Sequence, residues 1–269
     1  MDLATIFGFI SGVVILVAVL IMDGGSPAEL FAHPSALLLI IGGSIAATTI
    51  SSPLSAVKKL PRLLLLSAFG KRNDPRAAIE VLVKMADKAR REGLLALEDE
   101  SKKIDDPFLQ KGVMLLVDGV DPNQVRDILD KEIEHMVGRH REGSGLFLAA
   151  GGFAPTFGII GTVMGLIGVL KQLDDPSSLA HAIAGAFLAT LWGLLSSNLI
   201  FLPIGAKLKS KSDQETKYRE MLMEGVLSLQ AGENPRILRE KLNTFLPPNT
   251  RSSKSSQSAV KEKSQEARA

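Results

Sequence analysis

The chain has 269 residues, no cysteine, and 31 Lys and Arg against 29 Asp and Glu, for a formal net charge of +2. Without cysteine there are no disulfides, thiolate metal sites or thiol nucleophiles, and basic residues mixed among acidic ones leave no nucleic-acid footprint. A hydrophobic content of 46% suits either one large soluble domain or a small polytopic membrane protein, and the placement of the charges decides between them.

Four windows, 3–22, 30–57, 143–170 and 176–206, contain no Asp, Glu, Lys or Arg. Each reaches the roughly 18–20 residues that cross about 30 Å of hydrocarbon at ~1.5 Å per residue. Soluble helices carry polar faces instead. The pattern predicts an all-α polytopic membrane protein: four transmembrane helices, with a helical cytoplasmic domain between helices 2 and 3.

Residues 1–57 read as a transmembrane hairpin, with spans 1 and 2 at about 3–22 and 34–54 joined by the turn-rich DGGSPAE. The opening MDLATIF has no basic n-region, so no cleaved signal peptide is expected. Residues 58–142 read as the helical cytoplasmic domain. Asp74-Pro75 has the form of an N-cap followed by proline at the first helical position, and Ile79, Leu82, Val83 and Ala86 follow at helical spacing. Asp121-Pro122 makes a second start, with Val125, Ile128, Leu129, Ile133 and Met136 on one face. No strong breaker besides glycine separates that helix from span 3, so it is expected to run on into the membrane. Residues 143–206 form the second hairpin, spans 3 and 4. Residues 207–248 are C-terminal cytoplasmic helices, a charged stretch from Lys207 to Met223 and the amphipathic ENPRILREKLNTFL. The Ser/Lys-rich tail 249–269 is expected to be disordered.

Of the 31 Lys and Arg, 30 lie in two segments, Lys58 to Arg141 and Lys207 to Arg268; loop 23–29 has none, and loop 171–175 has Lys171 alone. The positive-inside rule puts both basic segments, and hence both termini, in the cytoplasm.

Spans 1 and 2 are rich in Leu, Ile and Val, whereas spans 3 and 4 carry stripes of small and weakly polar residues. Pro155, Gly158, Thr162 and Gly165 share one face of span 3, and Ala182, Ala186, Thr190, Gly193 and Ser197 share one face of span 4. Small residues allow close approach in lipid, so each stripe is expected to meet something other than acyl chains. Thr162 lies about ten residues from the outer loop and Thr190 about fifteen, which puts both near mid-membrane. Each hydroxyl either bonds its own i−4 carbonyl and assists packing or serves a path through the membrane. The spans hold no ionisable residue except His33 and His181, both near outer ends. Ion transporters normally keep such a residue in the membrane, so either no ion moves here or a partner supplies the carboxylate.

The motifs MDLATIFGFISG, ADKARREGLLALEDE, FLQKGVMLLVDG, FAPTFGIIGTVMGLI, NLIFLPIGAKL, SDQET and EGVLSLQAGENPRIL resemble the A subunit of flagellar-motor stators, the MotA/PomA type. The resemblance runs in order to about Pro248. It implies an inner-membrane homo-oligomer, five A subunits around two copies of a single-span MotB/PomB-type B subunit that brings a membrane aspartate. Ion passage would drive torque on the rotor switch protein FliG. It also implies roles for residues. Thr190 matches the threonine facing the partner's aspartate, and Thr162 a position where sodium-driven members tend to carry threonine and many proton-driven members alanine. Pro155 and Pro203 match prolines that couple ion flow to motion, and a proline is also a natural hinge. Arg90 and Glu98 match the charged pair that contacts the rotor, with Arg91 and Asp99 as auxiliary charges. A dehydrated sodium ion needs several hard oxygen ligands where a proton needs one, so Thr162 favours sodium over protons. His33 departs from the acidic residue that some sodium-type members carry in the outer loop.

Other readings are a TolQ/ExbB-type energiser of an outer-membrane system, which typically has three spans, and a non-conducting membrane scaffold. An enzyme is not expected: the chain has no cysteine, no His/Asp cluster and no phosphate-cradling glycine loop. No resident cofactor or metal is expected, only transported Na+ or H+.

Overall fold

The computed structural model describes residues 3–68, 73–170 and 176–248. Loop 171–175 and the tail 249–269 lie outside the described residues. Every element among the described residues is helical. In chain order these are α1 (Leu3–Met22), α2 (Pro34–Leu37), α3 (Gly43–Ile50), α4 (Leu54–Val57), α5 (Leu60–Ala68), α6 (Pro75–Glu92), α7 (Glu98–Ser101), α8 (Pro107–Val117), α9 (Pro122–Leu170), α10 (Pro176–Leu195), α11 (Leu202–Gln230) and α12 (Pro235–Asn243). Short 3-10 turns cover Pro27–Phe31 and Leu94–Leu97, and π turns cover Leu38–Gly42 and Ser196–Phe201.

Two helical runs, Pro122–Leu170 and Leu179–Gln230, are long and apolar enough to cross a membrane; the runs Ile6–Met22 and Pro34–Ile50 are shorter apolar helices. The second of these stops at Ile50, and Pro53 then opens α4. Proline lacks the N–H that would continue the ladder and biases the residue before it away from the helical region.

The chain forms two compact units, Met1–Lys71 with Val137–Asp213, and Arg72–Met136 with Gln214–Ala269. Helices α9 and α11 contribute residues to both. The expected continuation of the Asp121-Pro122 helix is present, since α9 is unbroken over 49 residues with Pro155 inside it.

The second unit is built by capped amphipathic helices. Asp74 Oδ1 accepts from the backbone N–H of Arg76 and Ala77 at the start of α6, as the Asp-Pro pattern predicts. The same device, unremarked in the sequence, starts α8: Asp106 Oδ1 accepts from Phe108 N at 2.9 Å and Leu109 N at 3.2 Å. Ile79, Leu82 and Ala86 are buried, Val83 only half so; Val125, Leu129, Ile133 and Met136 are buried, Ile128 half so. Leu116, Leu222, Leu238 and Leu242 of the same unit are buried too, all at 1% exposure or less. Fully burying such a side chain is worth about 1.5–3 kcal/mol. Gly93, at φ +85°, ends α6 in a conformation that favours glycine.

The first unit has little interior of large residues, and its helices approach through small ones. A Cβ on Gly12 would touch Leu199, one on Gly43 would overlap the Phe157 ring, and one on Gly205 would overlap Leu148. Large apolar side chains such as Phe7, Ile15, Ile159, Val163 and Phe187 stand exposed.

Candidate functional site

The stripes of α9 and α10 face each other. A Cβ on Gly158 would lie 3.1 Å from Ala189 O, one on Gly193 2.9 Å from Ala154 O, and one on Gly165 2.8 Å from Ala186 Cβ. Backbone therefore lies against backbone over two turns, the approach that small residues permit in lipid. Much of what the stripes were expected to meet is thus the partner helix in the same chain.

Thr162 and Thr190 sit in the middle of this seam. Their hydroxyls are hydrogen-bonded to each other. Thr162 Oγ1 also lies 3.1 Å from Gly158 O, its own i−4 carbonyl, and 3.1 Å from Ala186 O across the seam. The local back-bonding expected of the hydroxyl is present, and a cross-helix contact is added to it. Each hydroxyl carries one proton and two lone pairs, so its single proton cannot serve both carbonyls and its partner fully at once. Four hard oxygens converge, and both threonines are half-buried. The seam continues to Ser197, whose Oγ donates to Gly151 O at 2.7 Å.

At one end of the seam the rings of His33 and His181 lie 4.4 Å apart between centroids, tilted by 39°. Trp192 Nε1 donates to Leu30 O at 2.7 Å and its ring meets Phe31, tying the α1–α2 connection to α10. The sequence reading had no role for Trp192; a lone tryptophan in an apolar helix, with a ring N–H that needs an acceptor, was the signal for it. Pro203 lies two residues beyond the π turn Ser196–Phe201 and is exposed, while Pro155 is half-buried within α9. A proline clashes with the carbonyl four residues earlier, and that carbonyl, of Leu199, falls within the widened turn.

In the second unit, Arg90 and Arg91 lie in the last turn of α6, and Glu98 and Asp99 open α7. The turn between them is pinned by Leu97, fully buried. All four charged residues are exposed. Arg91 pairs with Asp87 at 2.7 Å, and Lys102 bridges Glu98 at 3.2 Å and Asp99 at 3.5 Å. Those bonds raise the Lys102 ammonium above its ordinary pKa, Glu98 contributing most. No cluster of three or more metal-ligating side chains occurs among the described residues.

The profile of the MotA/TolQ/ExbB proton channel family matches residues 100–221. Motility protein A of Borreliella burgdorferi is 42% identical over 256 residues, covering 94% of this chain and 96% of that protein. The chain belongs to the MotA/TolQ/ExbB family, in its motility protein A branch. A solved MotAB structure from C. jejuni superposes with a TM-score of 0.90 at 32% identity, covering 94% of this chain and all of that one. The flagellar MotAB stator complex from Bacillus subtilis gives 0.80 at 40% identity, over 88% of this chain and 95% of that one.

Proposed function

We propose that this chain is the A subunit of a flagellar stator, an inner-membrane channel component that turns cation flow into torque. The relatives carry the name motility protein A and the solved neighbours are MotAB assemblies. The observation that carries the reading is the pairing of an oxygen cluster at Thr162 and Thr190 with spans that lack any carboxylate. A channel of this build needs its charge from another chain, and a MotB/PomB-type partner with a membrane aspartate provides it. On this reading the A subunits form a ring, a pentamer around two B subunits. α1, α2–α3, the part of α9 from residue 143 onward and α10 are the four spans, both termini are cytoplasmic, and Arg90, Arg91, Glu98 and Asp99 face FliG. Pro155 and Pro203 serve as hinges. The role is transport, with neither catalysis nor a resident cofactor.

Sodium is the favoured ion, since converging hydroxyl and carbonyl oxygens suit a dehydrated cation. Co-expression with its B subunit in a stator-less cell restores swimming on this reading. Speed then follows external sodium at constant proton-motive force. Restored swimming at a speed indifferent to sodium would leave the stator role intact and assign the current to protons. Failure to restore swimming with a membrane-assembled complex rejects the stator role itself.

A further inference from the structure

The carbonyl that Pro155 deprives of its helical donor is the one that Ser197 holds. In an unbroken ladder the N–H of residue 155 would donate to Gly151 O, four residues earlier, but proline has none. Ser197 Oγ donates to Gly151 O at 2.7 Å from across the seam. Both residues are buried, Ser197 at 2% exposure, and a buried carbonyl is normally paired. Inside a membrane, a serine on a neighbouring helix is one of the few groups that can re-satisfy it. The adjacent Ser196 shows the ordinary alternative, since its hydroxyl bonds the Trp192 carbonyl of its own helix. Ser197 instead reaches 46 residues back along the chain.

Ser197 is tied through its backbone as well. Its carbonyl accepts the N–H of Leu202, the wide register that closes the π turn Ser196–Phe201. Gly151 lies close against the far end of that turn, where a Cβ would stand 3.3 Å from Phe201 Cβ. We propose that Ser197 is a latch on the bend at Pro155. Its hydroxyl stands in for the missing N–H, so the bend in α9 and the π turn after α10 are energetically one element. Movement of α9 at Pro155 shifts Gly151 O, and the bond must then break or carry the turn along. Ser197 lies seven residues beyond Thr190 on the same face, so latch and oxygen cluster share one seam. That the bend changes while ions pass rests on the proposed function; the latch does not.

A double-variant cycle on the full-length protein, melted in detergent, tests the latch. Ser197→Ala leaves Gly151 O without a donor and lowers the melting temperature by about 2–4 °C. In a Pro155→Ala background the new N–H serves that carbonyl, and Ser197→Ala then costs less than about 1 °C. Pro155→Gly supplies the same N–H and completes the cycle should the alanine variant fail to assemble. Ser196→Ala is the control, with the same cost in both backgrounds. Equal costs of Ser197→Ala with and without Pro155, or no cost in the parent, overturn the proposal. So does a Ser196 cycle as far from additive as the Ser197 cycle, because the whole seam would then be softening. The measurement needs neither rotor nor ion flow, so its outcome is separate from that of the proposed function.

Discussion

The hydroxyls of Thr162 and Thr190 meet across α9 and α10, with Gly158 O and Ala186 O each 3.1 Å from Thr162 Oγ1. Hydrogen bonds of this kind inside a bilayer are worth only about 0.6–1.7 kcal/mol, so the pair is a weak clamp. Its chemical interest lies in the lone pairs that two protons leave unused.

Replacing Thr190 by Val keeps the branched shape and removes the oxygen, whereas Thr190→Ser keeps the oxygen. Swimming with the serine variant and its loss with the valine variant, at equal membrane levels by immunoblot, is the expected pair of results. A valine variant that swims like the parent takes the hydroxyl out of the ion path.

The close approach of the two helices predicts a sharp contrast between glycines. At Gly193 a Cβ would press on Ala154 O at 2.9 Å and Gly158 Cα at 3.0 Å, backbone atoms that cannot rotate away. Gly193→Ala should cost about 1–3 kcal/mol as overpacking does. Gly152, with nothing within 4 Å of the same position, should gain up to ~1 kcal/mol from the better helix former. Melting of the purified protein in detergent ranks the two; equal shifts would mean that the helices can separate without penalty.

In the second unit, burial should outweigh surface pairing. Leu82 is fully buried, and Leu82→Ala should lose about 2–5 kcal/mol. Arg91 and Asp87 have side chains 72% and 51% exposed, so Arg91→Ala should change stability by less than about 1 kcal/mol. Denaturant titration of both variants checks the order.

Acid should act on this unit partly through Glu100. Hydrogen bonds from Lys88 and then Lys103 hold its carboxyl below the ordinary 4.5. A lowered folded value stabilises above the unfolded one, and the gain is lost as pH falls through the folded value. Lys88 is raised above 10.5 by the same bond, so its share is present below that value and is lost as pH climbs through the folded one. The difference in melting temperature between the parent and Glu100→Gln should therefore be constant at neutral pH and shrink in acid. A difference that persists well below the carboxylate range would place the pair's effect elsewhere.

Several elements were legible before any contact was known. Asp74-Pro75 announced α6 because a carboxylate two or three residues ahead of free N–H groups caps them whatever lies beyond. The unbroken α9 followed from the absence of a strong breaker between Asp121 and span 3. The small-residue stripes were visible because helical periodicity puts residues on a face by spacing alone.

Charge and packing, however, divide the chain differently. The charge border falls at 142/143 and 206/207, where the uncharged windows begin and end; the compact units change at 136/137 and 213/214. Charge tracks expected solvent, while a unit is defined by which side chains share contacts.

By itself, then, the sequence determined an all-helical chain, the uncharged windows, the caps, and which residues share each helix face, since these follow from local sterics and from the penalty of charge in an apolar medium. Only the tertiary structure decided that Gly158 meets Gly193, that Thr162 reaches Thr190, that Ser197 donates to Gly151, and that Gln230 donates to Val120. A small or hydroxyl residue accepts many neighbours equally well. Its partner is chosen by how the rest of the chain brings helices together, over separations at which no periodicity speaks.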